Sequence, residues 1–379
     1  MSFIPQEKFM RRAIELAKLG GGHVHPNPLV GAVIVRDGRI IAEGYHHRCG
    51  DLHAERDCLK NAKENNVDVS GAEMYVTLEP CCHTGKQPPC TQAVIESGIK
   101  TVVIGSRDPN ELVNGKGVKQ LEDSGITVIQ DFLRQECDTI NQIFFHYIKT
   151  KTPYVIVKYA MTADGKTSLS TGESKWITGD SARENVHRTR GTTSAIMCGI
   201  KTVIADDPML NCRVEGSQYK QPVRVILDRN LELPLDCSIV KTAGEIPVMV
   251  FCGDDAMKNV SDAGRKILAD LGVEVVPVEK KDGHMDLEKI LAVLGERKID
   301  SVFVESGGTL NASLFFSNGK CLVNEVHCYV APKIAGGING SVHSPVQGLE
   351  CESLAECVRM ELLGVENFGG DVLLKYRVV

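Results

Sequence analysis

DLHAERDCLK at 51–60 and EMYVTLEPCCHTGKQPPC at 73–90, joined by an amphipathic spacer, are the stretch on which the reading of this chain turns. His53 and Glu55 stand one residue apart, Cys81 directly follows Pro80, and Cys90 lies nine residues beyond Cys81. One imidazole and two thiolates suit zinc held by three protein groups, with a fourth position left open for water. Glu55 need not bind the metal; it stands where a carboxylate can carry protons for that water. Cys81 holds the position after proline that the pattern asks for, although an exchange with Cys82 stays open. His83 is a rival ligand, but a fourth protein ligand would close the site and displace the water.

Outward from this stretch, local patterns alternate. Residues 5–20 read as an amphipathic helix with Phe9, Ala13, Leu16 and Ala17 on one face, stopped by glycines at 20–22. A proline-flanked loop, HPNP, leads into the strand LVGAVIV, a tight turn at Asp37-Gly38 and the strand RIIAEGY. Helices are expected over 53–65 and 90–97, with strands over 73–78, 101–105 and 126–129 and a helix over 131–149. Alternation of this kind is an α/β layered domain, and it sets the histidine and both cysteines near helix N-termini, where thiolates are favoured. Thr150–Pro153 reads as a linker, after which strand YVIVKYAMT starts a second αβ unit. That unit holds a Gly/Ser-rich loop at 170–178, a charged helix over 180–190 capped by Asp180 or Ser181, and strands near 194–200, 223–228, 248–251, 273–278 and 301–306. Helices over 257–271 and 286–296 lie between the later strands.

Composition narrows the function classes. The 379 residues suffice for two or three domains, and 42% hydrophobic with 24% charged residues describe a globular chain. Forty-three basic against 49 acidic residues give a net charge of −6, which argues against nucleic acid or a membrane surface as partner. The N-terminus lacks a signal-type apolar core and no run approaches a membrane span, so a cytoplasmic address is expected. Most of the 14 cysteines sit singly in apolar or strand-like segments, as free thiols of a reducing compartment do.

H-x-E followed by P-C and a later cysteine is the logic of zinc deaminases acting on amino-pyrimidines and purines, here with C-x8-C in place of C-x-x-C. In that logic zinc acidifies a bound water and Glu55 moves protons from it to the departing ammonia. Asn27 is either a ring-binding group or a simple turn asparagine. HPNPLVGAVIV (25–35), GYHHRCGDLHAE (44–55) and TLEPCCHTGKQPPCTQAVIESGI (77–99) resemble the deaminase half of the bifunctional deaminase/reductases of riboflavin biosynthesis. That resemblance implies that His53, Cys81 and Cys90 hold zinc and that Glu55 is the proton shuttle. It also implies that Asn27, His46, His83 and Lys86 contact the substrate, 2,5-diamino-6-ribosylamino-4(3H)-pyrimidinone 5′-phosphate. Most relatives carry serine where Cys82 stands.

The second unit is less explicit. A strand ending at Val304-Glu305 followed by Gly307-Gly308 is either a phosphate-meeting helix start or a tight turn. Trp176 is either a core anchor or a stacking partner for a ring, and Arg190 and Arg213 are either solvated charges or anion clamps. Segments 157–183, 187–213, 221–228, 302–314 and 331–337 resemble, in order, the reductase half of the same family, whose fold is like dihydrofolate reductase. The resemblance implies NADPH contacts at Ala160, Trp176, Thr202, Asp206, Gly307, Gly308, Thr309, Leu310, Asn311, Ala312 and Ser313. It implies substrate contacts at Ser174, Arg190, Leu210, Arg213 and Glu305, with Lys158 and Glu305 beside the reacting ribosyl carbon. The family's S-L-D-G reads Thr162-Ala163-Asp164-Gly165 here, a mild change in a turn.

The expectation is therefore α/β throughout: a cytidine-deaminase-like three-layer αβα domain over 1–149, then a dihydrofolate-reductase-like domain over 150–379. One zinc per chain and NADPH are the expected cofactors, a small pyrimidine ribosyl phosphate the partner, and a homo-oligomer the expected state. Two rivals stand beside this reading. One is a deaminase of another base, nucleoside or tRNA with a non-catalytic second half; the other is a structural zinc protein closed by a fourth ligand.

Overall fold

The computed structural model describes residues 3–84, 87–110, 113, 115–216, 219–259, 261–281, 283–317, 319–337, 343–349 and 351–379. Contacts divide the chain into two units, Met1–Lys151 and Thr152–Val379.

In the first unit the elements run α1 (Glu7–Lys18), β1 (Gly31–Arg36), β2 (Arg39–Tyr45), α2 (Ala54–Glu64), β3 (Glu73–Leu78), α3 (Cys90–Glu96), β4 (Thr101–Ser106), α4 (Lys116–Asp123), β5 (Thr127–Ile129), α5 (Arg134–Thr139) and α6 (Gln142–Thr150). Asp37 and Gly38 both take positive φ, 52° and 71°, the conformation that lets a two-residue turn join twisted antiparallel strands. The sheet order is β2-β1-β3-β4-β5, with β3, β4 and β5 parallel. Period-two alternation fills both faces. Ala32, Ile34, Met74, Val76, Val102 and Ile104 pack with Ala54 and Cys58 of α2, Val94 of α3 and Leu121 of α4. Val33, Val35, Tyr75 and Val103 pack with Phe9, Met10 and Ala13 of α1 and Cys137 of α5. Helix α1 comes so close to the sheet that a Cβ on Gly31 would lie 2.0 Å from the Ala13 carbonyl oxygen.

The single helix expected over 131–149 is two helices, α5 and α6. The break falls at Asn141, whose side chain accepts from the Leu29 N–H (2.8 Å) and donates to the Leu29 carbonyl (2.9 Å). Asn141 is buried, and satisfying both amide ends on a loop 112 residues away outweighs continuing the helix.

The second unit runs β6 (Tyr154–Thr162), α7 (Asp180–Gly191), β7 (Ala195–Gly199), α8 (Ile200–Asp206), β8 (Val223–Leu227), α9 (Ser238–Lys241), β9 (Val248–Gly253), α10 (Asp254–Asn259), α11 (Asp262–Asp270), β10 (Val273–Val278), β11 (Lys280–Lys281), β12 (His284–Met285), α12 (Leu287–Glu296), β13 (Ser301–Glu305), α13 (Gly308–Phe315), β14 (Glu325–Ala331), β15 (Met360–Phe368) and β16 (Asp371–Val378). Its nine-stranded sheet has the order β10-β9-β8-β7-β13-β6-β14-β16-β15, parallel from β10 to β14 and antiparallel through β16 and β15. Val155, Val157, Val302 and Val304 bury one face against α12 and α13, while Ile196, Ile226 and Val250 bury the other against α9.

Two expectations change here. The helix expected over 257–271 is split into α10 and α11, the latter capped by the Ser261 side chain on Gly264 N–H. Helix α7 is not capped by Asp180 or Ser181: Gly179 is its N-cap, without a side-chain cap bond. Asp371 reaches in from β16 and accepts the Gly179 N–H at 2.6 Å instead. No helix among the described residues is long and apolar enough to cross a membrane, and all 14 cysteines are thiols, not disulfides.

Candidate active sites

The first site gathers where α2 and α3 begin. His53 is the N-cap of α2 and Cys90 the first residue of α3, whereas Cys81 lies in the loop after β3. The His53 Nδ1 sits 3.5 Å from Cys81 Sγ and 3.4 Å from Cys90 Sγ, and all three donor atoms fall within 4.8 Å of one another. Cys82 and His83 do not join that group. The Cys90 backbone N–H points at Cys81 Sγ (3.4 Å), so the start of α3 offers positive charge to the sulfur. The Cys90 side chain and the His53 ring hold the Cys81 thiol down to about 4 against burial. One neutral-nitrogen donor and two sulfurs at this separation fit zinc with an open fourth position.

Glu55 is buried beside this cluster, where it meets the Cys90 thiol. Burial, then the charge of Cys81, pushes its carboxyl up. A cleft of about 330 Å³ opens over it, lined among others by Asn27, His46, His83, Asp108 and Tyr147. The His46 Nδ1 faces the Leu52 carbonyl (2.9 Å), which assigns the proton to that nitrogen. Its Nε2 then accepts from Asn27 Nδ2 (3.1 Å). Asn27 is thus more than a turn residue: a buried histidine fixes its amide at the rim of the cleft. Lys86 lies outside the described residues.

Sequence reasoning missed Asp108. It follows the end of β4, lines the cleft, and burial pushes its carboxyl up to about 6. The available signal was a carboxylate just past the C-terminal end of a parallel strand, where ligands collect in α/β sheets. Glu79, the acid of E-P-C, is buried beneath the cleft and accepts the Gly115 and Val118 N–H groups at 3.1 and 3.4 Å, capping α4.

In the second unit, Glu305 ends β13 and pairs in register with Lys158 on β6. Its carboxylate takes Lys158 Nζ at 3.3 Å and Arg190 Nε and Nη2 at 2.5 and 3.1 Å. All three side chains are at least four-fifths buried. Burial alone would raise the Glu305 carboxyl, but the Arg190 and Lys158 charges outweigh it and hold the group at about 2. Arg190 also donates to the Asn211 carbonyl (3.0 Å), so it is a buried, paired cation rather than a solvated one. Leu210, at φ 46°, is buried, and next to it Asn211 accepts from the exposed Arg213 (2.5 Å). Between the two arginines the His187 ring is pushed down to about 4, by burial first and then by their charges.

Ser174 and Trp176 belong to a separate cleft of about 200 Å³ with Lys166, Lys333 and Ala335. Trp176 is 63% exposed, so it anchors no core; the Arg183 guanidinium lies 4.5 Å from its ring centroid. Asp206, at the end of α8 with Thr202 one turn back, pairs with Lys175 (3.4 Å). Ala160 lies on β6 among half-buried neighbours. Along 307–313 the side chains divide. Asn311 and Ala312 are buried, and Asn311 donates to the Pro345 carbonyl (2.8 Å). A Cβ on Gly308 would lie 2.6 Å from the Ser344 carbonyl oxygen, so the close passage of that segment explains the glycine. Leu310 packs on the core, while Thr309 accepts at its carbonyl from the hydroxyl of the half-buried Ser313.

The chain matches known proteins along nearly its whole length. Residues 153–374 match the RibD C-terminal domain, and residues 4–106 match the cytidine and deoxycytidylate deaminase zinc-binding region. The riboflavin biosynthesis protein RibD of Actinobacillus pleuropneumoniae is 48% identical over 98% of this chain and 95% of its own length. The corresponding protein of Bacillus amyloliquefaciens is 39% identical over 97% of this chain and 95% of its own length. Among solved structures, Acinetobacter baumannii RibD superposes with a TM-score of 0.85 at 38% identity, covering 98% of both chains. A Thermotoga maritima diaminohydroxyphosphoribosylaminopyrimidine deaminase/5-amino-6-(5-phosphoribosylamino)uracil reductase gives 0.84 at 39% identity, also over 98% of both. The fold is α/β, with a cytidine-deaminase-like first domain and a dihydrofolate-reductase-like RibD reductase domain after it. The chain therefore belongs to the RibD family, the bifunctional deaminase/reductases of riboflavin biosynthesis.

Proposed function

We propose that residues 1–149 deaminate 2,5-diamino-6-ribosylamino-4(3H)-pyrimidinone 5′-phosphate hydrolytically and that residues 150–379 then reduce its ribosyl side chain to ribityl with NADPH. The observation that carries this reading is the convergence of His53, Cys81 and Cys90 beside a buried Glu55, at the floor of a cleft. His53, Cys81 and Cys90 would hold zinc, which when bound supplies a water acidified towards neutrality. Glu55 takes a proton at its carboxylate and returns it to the amino nitrogen that leaves as ammonia. Asn27, oriented by His46, meets the pyrimidine edge, and His83 and Lys86 take the phosphate end. Chelation should abolish ammonia release and added zinc should restore it; release that survives complete removal of metal overturns the assignment.

For the second step a nicotinamide supplies the hydride. Lys158, held by Glu305 at the end of β13, presents a fixed cation where charge develops as the ribose is reduced, and Arg190 and Arg213 take the sugar phosphate. Ala160, Trp176, Thr202, Asp206 and the segment 307–313 make up the cofactor side, within which Asn311 and Ala312 are buried. NADPH should give a higher kcat/KM than NADH; equal use of the two would contradict the preference.

Fourteen cysteines held as thiols favour the cytoplasm as its compartment. A homo-oligomer fits the edge strand β15, where Met360, Leu362, Leu363 and Val365 are 39–59% exposed. Long apolar edges are usually covered. Replacing Leu362 and Val365 together by glutamate should halve the mass seen by light scattering if a second copy covers β15; an unchanged mass rules that edge out.

A further inference from the structure

Eight residues separate the two cysteine ligands, where the commoner zinc-deaminase spacing has two. A longer flexible connection costs more entropy to close, so a ligand at its far end needs an anchor beyond the metal itself. The end of this connection is Pro88-Pro89, and neither residue has an N–H with which to fasten the backbone. Only their carbonyls can be held. Arg56 holds both: its Nε donates to the Pro88 carbonyl at 3.0 Å and its Nη2 to the Pro89 carbonyl at 2.8 Å. The next residue is Cys90, fully buried at the start of α3. Gln87 adds a second stitch, donating to the Gly50 carbonyl just ahead of α2 (3.2 Å).

Arg56 stands on the first turn of α2, immediately after Glu55 and three residues after His53. A single helix start thus bears one ligand, the buried carboxylate, and the cation that fixes the approach to another ligand. The guanidinium is suited to this because two N–H groups on one edge of a rigid plane meet two successive carbonyls; an ammonium has three donors but no fixed edge, and matches the pair less well.

We propose that Arg56 is a positioning residue of the metal centre, setting Cys90 against His53 and Cys81 by clamping the Pro88 and Pro89 carbonyls. The proposal rests on the reading of those three residues as zinc ligands. Partners that orient ligands from outside the coordination shell typically change metal affinity by about 10–100-fold when lost.

The test compares wild type, Arg56→Ala and Arg56→Lys as full-length proteins. Zinc dissociation constants come from competition with a chromophoric chelator, and cobalt(II) spectra of the same proteins report the geometry around the thiolates. The expected result is a zinc Kd about 10–100-fold weaker in Arg56→Ala, with Arg56→Lys between it and wild type. The cobalt bands should shift in the same order. A merely structural role would lower the melting temperature of the metal-free protein and leave the cobalt bands of the loaded fraction unmoved. The proposal is overturned if Arg56→Ala, or Arg56→Lys where the alanine variant does not fold, matches wild type in both Kd and cobalt spectrum. If wild type itself holds no zinc, the ligand assignment falls instead, and the two failures are told apart by that first measurement.

Discussion

Glu55→Gln is expected to keep its zinc and to lose about 10²–10⁴-fold in ammonia release, the range that a positioned general acid–base contributes. The amide matches the carboxylate in shape and leaves the three ligand side chains untouched, so metal content should stay at the wild-type level. What it cannot do is accept a proton from water and hand it to a departing amine. Because Glu55 is buried against Cys90, bulk buffer is poorly placed to substitute for it. Turnover near the wild-type rate would remove Glu55 from the proton path. Loss of zinc would instead move it into the metal's support. NADPH oxidation with already deaminated substrate should be unaffected, since the residues proposed for that step all belong to the second unit.

The second large effect is expected at Glu305. Glu305→Gln leaves Arg190 and Lys158 facing a neutral amide in a site where both are more than four-fifths buried. Removing one member of a buried ion cluster typically costs about 3–5 kcal/mol, because the remaining charges stay desolvated. Reduction should fall with it, as Lys158 and Arg190 lose the group that fixes them, while ammonia release continues. The pH dependence follows from the sign of the shift. Glu305 titrates at about 2 in the folded chain against an ordinary 4.5, so its contribution is fully present above 4.5 and is lost as pH falls from there towards 2. Urea unfolding of the second unit at several pH values measures this directly. Wild type should decline more steeply than Glu305→Gln, which keeps only the share owed to other held-down carboxylates such as Asp164 and Glu325; parallel curves for the two proteins would contradict the account.

What could be seen in the sequence, and what could not, divides along the range of the interactions. His53, Glu55, Cys81 and Cys90 stand at element boundaries set by local signals: an amphipathic run, a strand ending in proline, a helix after Pro-Pro. Local spacing therefore sufficed to bring out the cluster. The Asp37-Gly38 turn was legible for the same reason, since its residue types match the positive φ that it requires. The break between α5 and α6 was not, because Asn141 answers to Leu29, far away in the chain. The cap of α7 was hidden likewise: Gly179 borrows Asp371 from a strand 192 residues on. Strand β15 was hidden because Met360–Phe368 does not alternate and lies at an exposed sheet edge, where no buried face imposes period two. In the second unit the ion cluster needed the parallel register of β13 with β6 to bring Glu305 to Lys158, and no motif spells that register. The role of Arg56 likewise depends on the placing of Pro88 and Pro89, more than thirty residues on, whose carbonyls it holds.

The most direct test of the central claim is one reaction followed two ways. Purified protein is given the diaminopyrimidine ribosyl phosphate and NADPH, and ammonia release and cofactor oxidation are recorded together. The account predicts both signals, with oxidation lagging behind ammonia because the second site consumes what the first one makes. Oxidation that starts without a lag, or ammonia with no oxidation after it, would contradict the proposed two-step sequence.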